Sequence, residues 1–358
     1  MIEPIGIAIA EPPTVTGITP TSGPGAGGTA VTVRGTGFTP ESAVFFGSVP
    51  ALSDQTTYVS PYQMTVVSPP GSGTVDVTVG TAFGTSPTTA ADRFTYIPTG
   101  YDLVGQDGGV FVFNPPGVGG GFFGSLPGIG VVPNRPVVGM VPTVNDQGYF
   151  LVAQDGGVFS FGNAPFLGSL PGLGVTPAQP IVGIIAAKTD TGYYLVGRDG
   201  GVFAFGTVPF LGSLPGTGLQ VDNVVGIAAT PTGSGYWVVQ ATGTVHAFGA
   251  AKAFVTAPTT SAVTAIAGTP TGKGYWLVTQ EGGVYPYGTA AKKGKGTLPA
   301  IGVVPTLAVI GIVPTAGTTG YWLLGSDGGI FAFGTAPFYG SLPGLGVHVS
   351  DIVGAVPN

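Results

Sequence analysis

The sequence predicts an all-β protein in two parts, a small sandwich followed by a longer array of sheet-forming repeats. Three observations lead there. The 66 glycines and 34 prolines make up more than a quarter of the 358 residues. Each costs a helix interior about 1–3 kcal/mol, so long helices are excluded. Hydrophobic residues reach 43% while charged residues fall to 7%, the reverse of a disordered chain. Finally, the phrase Gly-Tyr-x-(Leu/Val)-(Val/Leu) begins at Gly100, Gly148, Gly192, Gly235, Gly274 and Gly320, and a long repeat of this kind marks a repeat architecture.

Composition bounds the function as well. A net charge of −6 with ten Lys and Arg leaves no basic footprint for nucleic acid. The absence of cysteine removes disulfides, thiolate metal sites and a Cys nucleophile, and it suits an exported bacterial protein. No apolar run reaches the ~18 residues of a membrane span, so no membrane insertion is expected. Met1-Ile2-Glu3-Pro4 lacks the basic and long apolar regions of a signal peptide. An export signal is therefore expected elsewhere, or the route is not the general secretory one.

Residues 1–12 form an apolar, Pro-bounded arm whose alternation, Ile5-Gly6-Ile7-Ala8-Ile9-Ala10, is a strand signal. It is read as a linker, with pairing to a neighbouring chain's sheet edge as the alternative. Residues 13–97 alternate short strands with turns. Thr29–Val33, Ala43–Phe46 and Thr74–Val79 each place apolar residues two apart, one face packed and one wet. Thr21-Ser22-Gly23-Pro24-Gly25 and Ser68-Pro69-Pro70-Gly71 are turn chemistry. Several such strands in one segment make a β-sandwich.

The order Ile18-Thr19-Pro20-Thr21-Ser22-Gly23, Gly27-Gly28-Thr29, Gly35-Thr36-Gly37-Phe38, Val44-Phe45-Phe46-Gly47, Ser68-Pro69-Pro70, Phe94-Thr95-Tyr96 resembles the IPT/TIG domain, an immunoglobulin-like fold. The resemblance implies a spacer or adhesive module. DNA-binding members of that family use basic loops. Here only Arg34 and Arg93 face six acidic residues in 1–97, so that activity does not carry over.

Residues 98–358 hold the repeats. After Tyr321-Trp322-Leu323-Leu324 come the turn Asp327-Gly328-Gly329, then Ile330-Phe331-Ala332-Phe333-Gly334. Next is Ala336-Pro337-Phe338-Tyr339-Gly340-Ser341-Leu342-Pro343-Gly344, and last Asp351-Ile352-Val353-Gly354-Ala355-Val356. Four strand-sized pieces per unit predict one propeller blade each. The first unit lacks a preceding Val-Gly-Ile strand and the last carries a surplus one, Ile352–Val356. An open array would expose both as edges. A six-bladed propeller closed by a split first blade is therefore expected over a linear stack. Gly-Tyr-Trp-Leu-Val, Asp-Gly-Gly-Val-Phe-Ala-Phe-Gly and Phe-x-Gly-Ser-Leu-Pro-Gly together resemble repeats of secreted bacterial propellers. That architecture hosts lectins, scaffolds and enzymes alike.

Candidate chemistry is sparse. Asp107, Asp155, Asp199 and Asp327, with Glu281 in the fifth unit, recur in one hairpin turn and would decorate one face. A cation or ligand site is one reading. The other is a turn whose Asp tolerates the geometry while Gly supplies positive φ, and it is preferred because Ca²⁺ wants 6–8 oxygens together. Trp237, Trp276 and Trp322, with Phe159, Phe161, Phe203, Phe205, Phe331 and Phe333, are expected to pack blade against blade. The loops after Gly-Ser-Leu-Pro-Gly are apolar and uncharged, and serve either as a glycan or protein contact face or as rigid turns.

Departures from the repeat stand out. Units four and five lose Gly-Ser-Leu-Pro-Gly and carry His246, Lys252, Lys292, Lys293 and Lys295, the lysines being half the basic residues from residue 100 on. This edge is the best candidate for a specific polar contact, to an anionic glycan or wall polymer, against the plainer reading of a solvated edge. Gly119–Gly124 fits G-x-G-x-x-G, but Asn114-Pro115-Pro116 precedes it, no helix is expected after it and no acidic residue lies about 20 positions on. His246 and His348 are the only histidines. Neither has a nucleophile elbow nearby, and no pair of facing carboxylates is evident.

The sequence thus predicts a non-catalytic protein of the extracellular space or cell surface, with no cofactor and no metal. Its propeller would be the contact face for a glycan or protein ligand and its sandwich a spacer. The alternatives are a structural subunit of a virion, tail or filament that self-assembles through residues 1–12, and a carbohydrate-active enzyme.

Overall fold

The computed structural model describes residues 11–25, 28–69, 71, 73–97, 100–115, 121–143, 147–187, 190–254, 259, 261–269, 271–290, 295–315 and 320–358. The arm residues 1–10, and Lys292 and Lys293, lie outside them. Among the described residues the regular structure is strands and single-turn 3₁₀ helices. The chain divides into two compact units, one ending at Thr99 and one beginning at Gly100.

The first unit is a two-sheet sandwich. One sheet orders Thr14–Thr19, Ala30–Thr36, Gln63–Val67 and Thr56–Ser60; the other runs Ser22–Pro24, Arg93–Ile97, Thr74–Thr81, Ala43–Phe46 and Val49–Pro50. Alternation decides the faces: Val31 and Val33 point inward with Val66, Val77 and Val79. Phe94 sits between Phe46 and Tyr96, with centroids 5.2 and 5.1 Å away. Asp92 is also fully buried, and burial raises its carboxyl above the ordinary carboxylate range. It closes a capping box in which its Oδ2 accepts the Thr89 N–H at 2.7 Å.

Among its described residues the second unit forms six three-stranded antiparallel sheets. The second to sixth are built in sequence order: Val137–Pro142, Gly148–Ala153 and Val158–Gly162; Ile181–Ala186, Gly192–Gly197 and Val202–Gly206; Val224–Ala229, Gly235–Gln240 and Val245–Gly249; Val263–Gly268, Gly274–Thr279 and Val284–Gly288; Val309–Pro314, Gly320–Gly325 and Ile330–Gly334. The first joins Tyr101–Gly105 and Val110–Phe113 to the distant Ile352–Pro357, with Asp102 opposite Val356 and Leu103 opposite Ala355. The leading strands touch in series: Ile352–Pro357 meets Val137–Pro142, which meets Ile181–Ala186, and so on to Val309–Pro314, which again meets Ile352–Pro357.

The middle strands are buried along their whole length, as in Gly148–Ala153 and Gly320–Gly325, except for the half-buried Gln240 that ends the fourth. Both faces of each are covered by neighbouring sheets, so their apolar residues run continuously instead of alternating. In four of the sheets the aromatic residue after the Tyr packs on the Tyr of the next sheet. Phe150 lies 5.2 Å from Tyr193, Tyr194 5.1 Å from Tyr236, Trp237 5.5 Å from Tyr275 and Trp322 5.3 Å from Tyr101.

Two expectations about the repeat are corrected. The fourth strand-sized piece is a loop ending in one 3₁₀ turn, as in Pro171–Leu173 and Pro343–Leu345. Its proline has no N–H to give a ladder, and the segment is held instead by its leucine. Leu170 is buried over the Asp155-Gly156-Gly157 turn and its N–H bonds the Gly156 carbonyl at 3.1 Å. A Cβ on Gly156, at φ +78, would stand 2.5 Å from Leu170, so no other residue fits there. The fifth unit also keeps this piece, with Leu298 buried, Pro299–Ile301 in the 3₁₀ turn and Gly302 left-handed. The letters differ there, but the features the geometry needs are retained: Leu, Pro and the closing Gly.

Candidate functional site

The turn carboxylates are held by their own backbone. Oδ1 of Asp107, Asp155, Asp199 and Asp327 accepts the N–H two residues on, from Gly109, Gly157, Gly201 and Gly329, at 2.7, 2.9, 2.9 and 2.8 Å. This is the Asx turn that lets Asp start a hairpin. Glu281 is exposed, and Thr279 Oγ1 takes the corresponding role by accepting the Gly283 N–H at 3.1 Å. Among the described residues no three His, Cys, Asp or Glu side chains converge as metal ligands.

His246 is half-buried, in register with Val238. Its Nε2 lies 3.0 Å from Gln240 Oε1, and Gln240 Nε2 donates to Asn223 Oδ1 at 2.7 Å. Other sheets carry Phe159, Phe203 or Phe331 in register at the same point, so the fourth sheet replaces a packed ring by a polar chain. Burial pushes the imidazole below its ordinary range. The sign follows: the folded state prefers neutral His, so its contribution is complete above the unfolded value of ~6.5 and is lost as pH falls through the folded one. Between pH 7 and 5 the wild-type protein should therefore lose stability relative to His246→Phe, read as melting temperatures of the two proteins across that range. A constant difference would remove His246 as the titrating group.

Lys252 is exposed, and its carbonyl accepts the Trp237 Nε1–H at 2.8 Å. Lys295 is exposed one junction later, its N–H bonding the Tyr321 hydroxyl at 3.3 Å. The tryptophans are core, as expected: Trp237, Trp276 and Trp322 are buried, with Phe161, Phe205 and Phe333.

Two features were missed by sequence reasoning. One is Asp102, buried at the junction of the first and second sheets, where it accepts the Asn358 amide at 2.5 Å. The other sheets hold Phe150, Tyr194, Trp237, Trp276 and Trp322 at this point after the Tyr. The exchange leaves a crevice with room for about one water, lined by Asp102, Tyr149 and Asn358 among others. Burial first, and the Asp102 charge beside it, push the Tyr149 hydroxyl up to about 12. Aligning the repeats reveals this break in an aromatic column.

The second feature is a set of exposed rings. Phe122, Phe166, Phe210 and Phe338 are 56–60% exposed, each at one junction between sheets. The next sheet's Tyr clamps the segment that follows. Tyr193, Tyr236 and Tyr101 hydroxyls donate to the carbonyls of Gly168, Gly212 and Gly340 at 2.5, 2.6 and 2.6 Å, and Tyr149 does the same to Gly124. Ile129, Leu173, Ile301 and Leu345 in the 3₁₀ turns are exposed as well.

Among the described residues no helix is long and apolar enough to cross a membrane. No curated protein matches the sequence. Solved structures similar to the chain include a Bacteroides thetaiotaomicron protein of unknown function, 12% identical over 90% of this chain and 84% of that one, with a TM-score of 0.41. An auxiliary nutrient binding protein from the same organism is 11% identical over 88% and 95%, with a TM-score of 0.37. The plexin A4 extracellular region is 26% identical over 24% of this chain and 8% of that one, with a TM-score of 0.21. The IPT/TIG family model matches residues 13–96, the stretch whose strands build the sandwich. The amino-terminal unit is an IPT/TIG domain.

Proposed function

We propose that the chain is a non-catalytic binding and display protein of the extracellular space or cell surface. In this reading the repeats form a six-bladed propeller, closed where Ile352–Pro357 completes the first blade. The propeller offers the contact face to a glycan or protein, and the IPT/TIG domain is the spacer. The observation that carries it is the fate of the polar groups. The recurring aspartates are engaged by the glycines of their own turns, while the recurring exposed groups are uncharged and apolar. A glycosidase needs two carboxyls about 5–9.5 Å apart across its substrate. A binding face needs only rigid, desolvated contacts.

The test is a reducing-end assay on a panel of polysaccharides, with the wild-type chain and the quadruple Asp107→Asn, Asp155→Asn, Asp199→Asn, Asp327→Asn variant. No turnover is expected from either. Turnover by the wild type that the variant loses would make the turns catalytic and end the display reading.

A further inference from the structure

Resting on that reading, we propose that Phe338, Phe122, Phe166 and Phe210, at four successive sheet junctions, are the contact surface for a neutral polysaccharide whose sugar rings stack on them.

The rings stand on a rigid base. Each is followed by a residue pinned to the next sheet's Tyr: Phe123 N–H and Leu167 N–H bond the Tyr149 and Tyr193 hydroxyls at 3.3 Å, and Tyr339 N–H bonds Tyr101 at 3.1 Å. Such pre-organisation lowers the entropy cost of binding.

The fold does not require them. The fourth sheet's junction uses the same clamp, Phe254 N–H to the Tyr275 hydroxyl at 3.3 Å. The residue before it there is the exposed Ala253. At the fifth, Lys295 takes the clamped place and glycine precedes it in sequence. Two junctions thus keep the geometry without the ring, and the four that carry it are consecutive. Burial does not explain them, because more than half of each ring's surface faces water.

The surroundings select the ligand. Residues 121–126, 163–170, 207–214 and 335–342 contain no charged side chain, whereas lysines stand at the other two junctions. A protein partner would be met by a contiguous apolar core inside a polar rim. Here each of the four junctions presents one exposed ring, and the segments around the rings hold no charged side chain to form such a rim. A sugar ring has a C–H face that suits the negative face of an aromatic ring and hydroxyl edges for the polar residues between. A polymer repeating those rings engages several weak sites at once and gains from their linkage.

The experiment is affinity electrophoresis of the full chain through gels containing soluble neutral polysaccharides: dextran, mannan, a mixed-linkage β-glucan and a galactan. At least one should retard the wild-type protein. Replacing all four phenylalanines by Leu keeps the apolar surface and removes the ring faces. Retardation should weaken at least tenfold, with the melting temperature unchanged. A Phe→Tyr set should retain it, and Lys252→Ala with Lys295→Ala should leave it unaltered. No retardation by any of the four polymers, or equal retardation of the Leu set, overturns the proposal. Retardation only by a polyanion such as heparin, abolished by the lysine changes, moves the contact to the basic edge and leaves the display reading standing.

Discussion

Removing Ile352–Asn358 is expected to collapse the repeat unit, leaving the IPT/TIG domain folded. The strand Ile352–Pro357 is the partner of Tyr101–Gly105 along its whole length. It contributes the buried side chains of Ile352 and Val356, worth about 3–6 kcal/mol together at about 1.5–3 kcal/mol each. Backbone ladder bonds add to this. Native stability is only about 5–15 kcal/mol, so the loss is comparable to the whole. The truncated chain would also present Tyr101–Gly105 as a bare edge next to buried apolar surface, a template for aggregation. Size-exclusion chromatography should show oligomers, and tryptophan fluorescence should lose its cooperative thermal transition. A peptide of residues 350–358 added in trans should restore part of it. A truncated protein that stays monomeric with the wild-type melting temperature would mean the terminal strand is dispensable.

Trp237→Ala carries the next largest effect. The ring is fully buried between the fourth and fifth sheets, against Tyr275, and its Nε1–H is bonded to the Lys252 carbonyl. Emptying such a site costs about 3–5 kcal/mol, or roughly 6–20 °C in the melting temperature of a unit this size. Trp237→Phe separates the two contributions. The second sheet already holds Phe150 in this place against Tyr193, so the packing is met. The Lys252 carbonyl then loses its donor, at about 1–3 kcal/mol. If the Phe variant melts as low as the Ala variant, the hydrogen bond and not the ring is what joins these sheets.

Much of the fold was legible because its determinants are local. Val31 and Val33 alternate, and the Asp155-Gly156-Gly157 turn needs positive φ at its centre. Both are read within a few residues. The loop made from Pro343–Leu345 was not legible as a loop, since Phe338–Gly344 has the length and hydrophobicity of a strand. Its character comes from prolines that cannot join a ladder and from Leu342 reaching over Gly328. The site was legible only in part. Asp155 and His246 were visible as polar residues in an apolar chain. Their partners, the Gly157 N–H and Gln240, showed that the first belongs to a turn and the second to a short polar chain.

The exposed rings show the division most sharply. By sequence alone Phe161, alternating with Phe159, is expected in the core, while Phe166, five positions on in the same repeat, carries no such signal. The first is buried against Tyr149 of its own sheet, and the second points to solvent at the junction with the next. The sequence by itself determined the all-β class, the six repeats and the amino-terminal IPT/TIG domain, because strand period and turn chemistry act between near neighbours. The surplus Ile352–Val356 already predicted that the last strand joins the first of the repeats. Only the tertiary structure decided that Phe122, Phe166, Phe210 and Phe338 are surface rings, that Asp102 is buried against Asn358, and which residues of the last strand face Tyr101–Gly105. Burial and hydrogen-bond partners there are supplied by a neighbouring sheet or by the last strand, which lie a full repeat or the whole unit away along the chain.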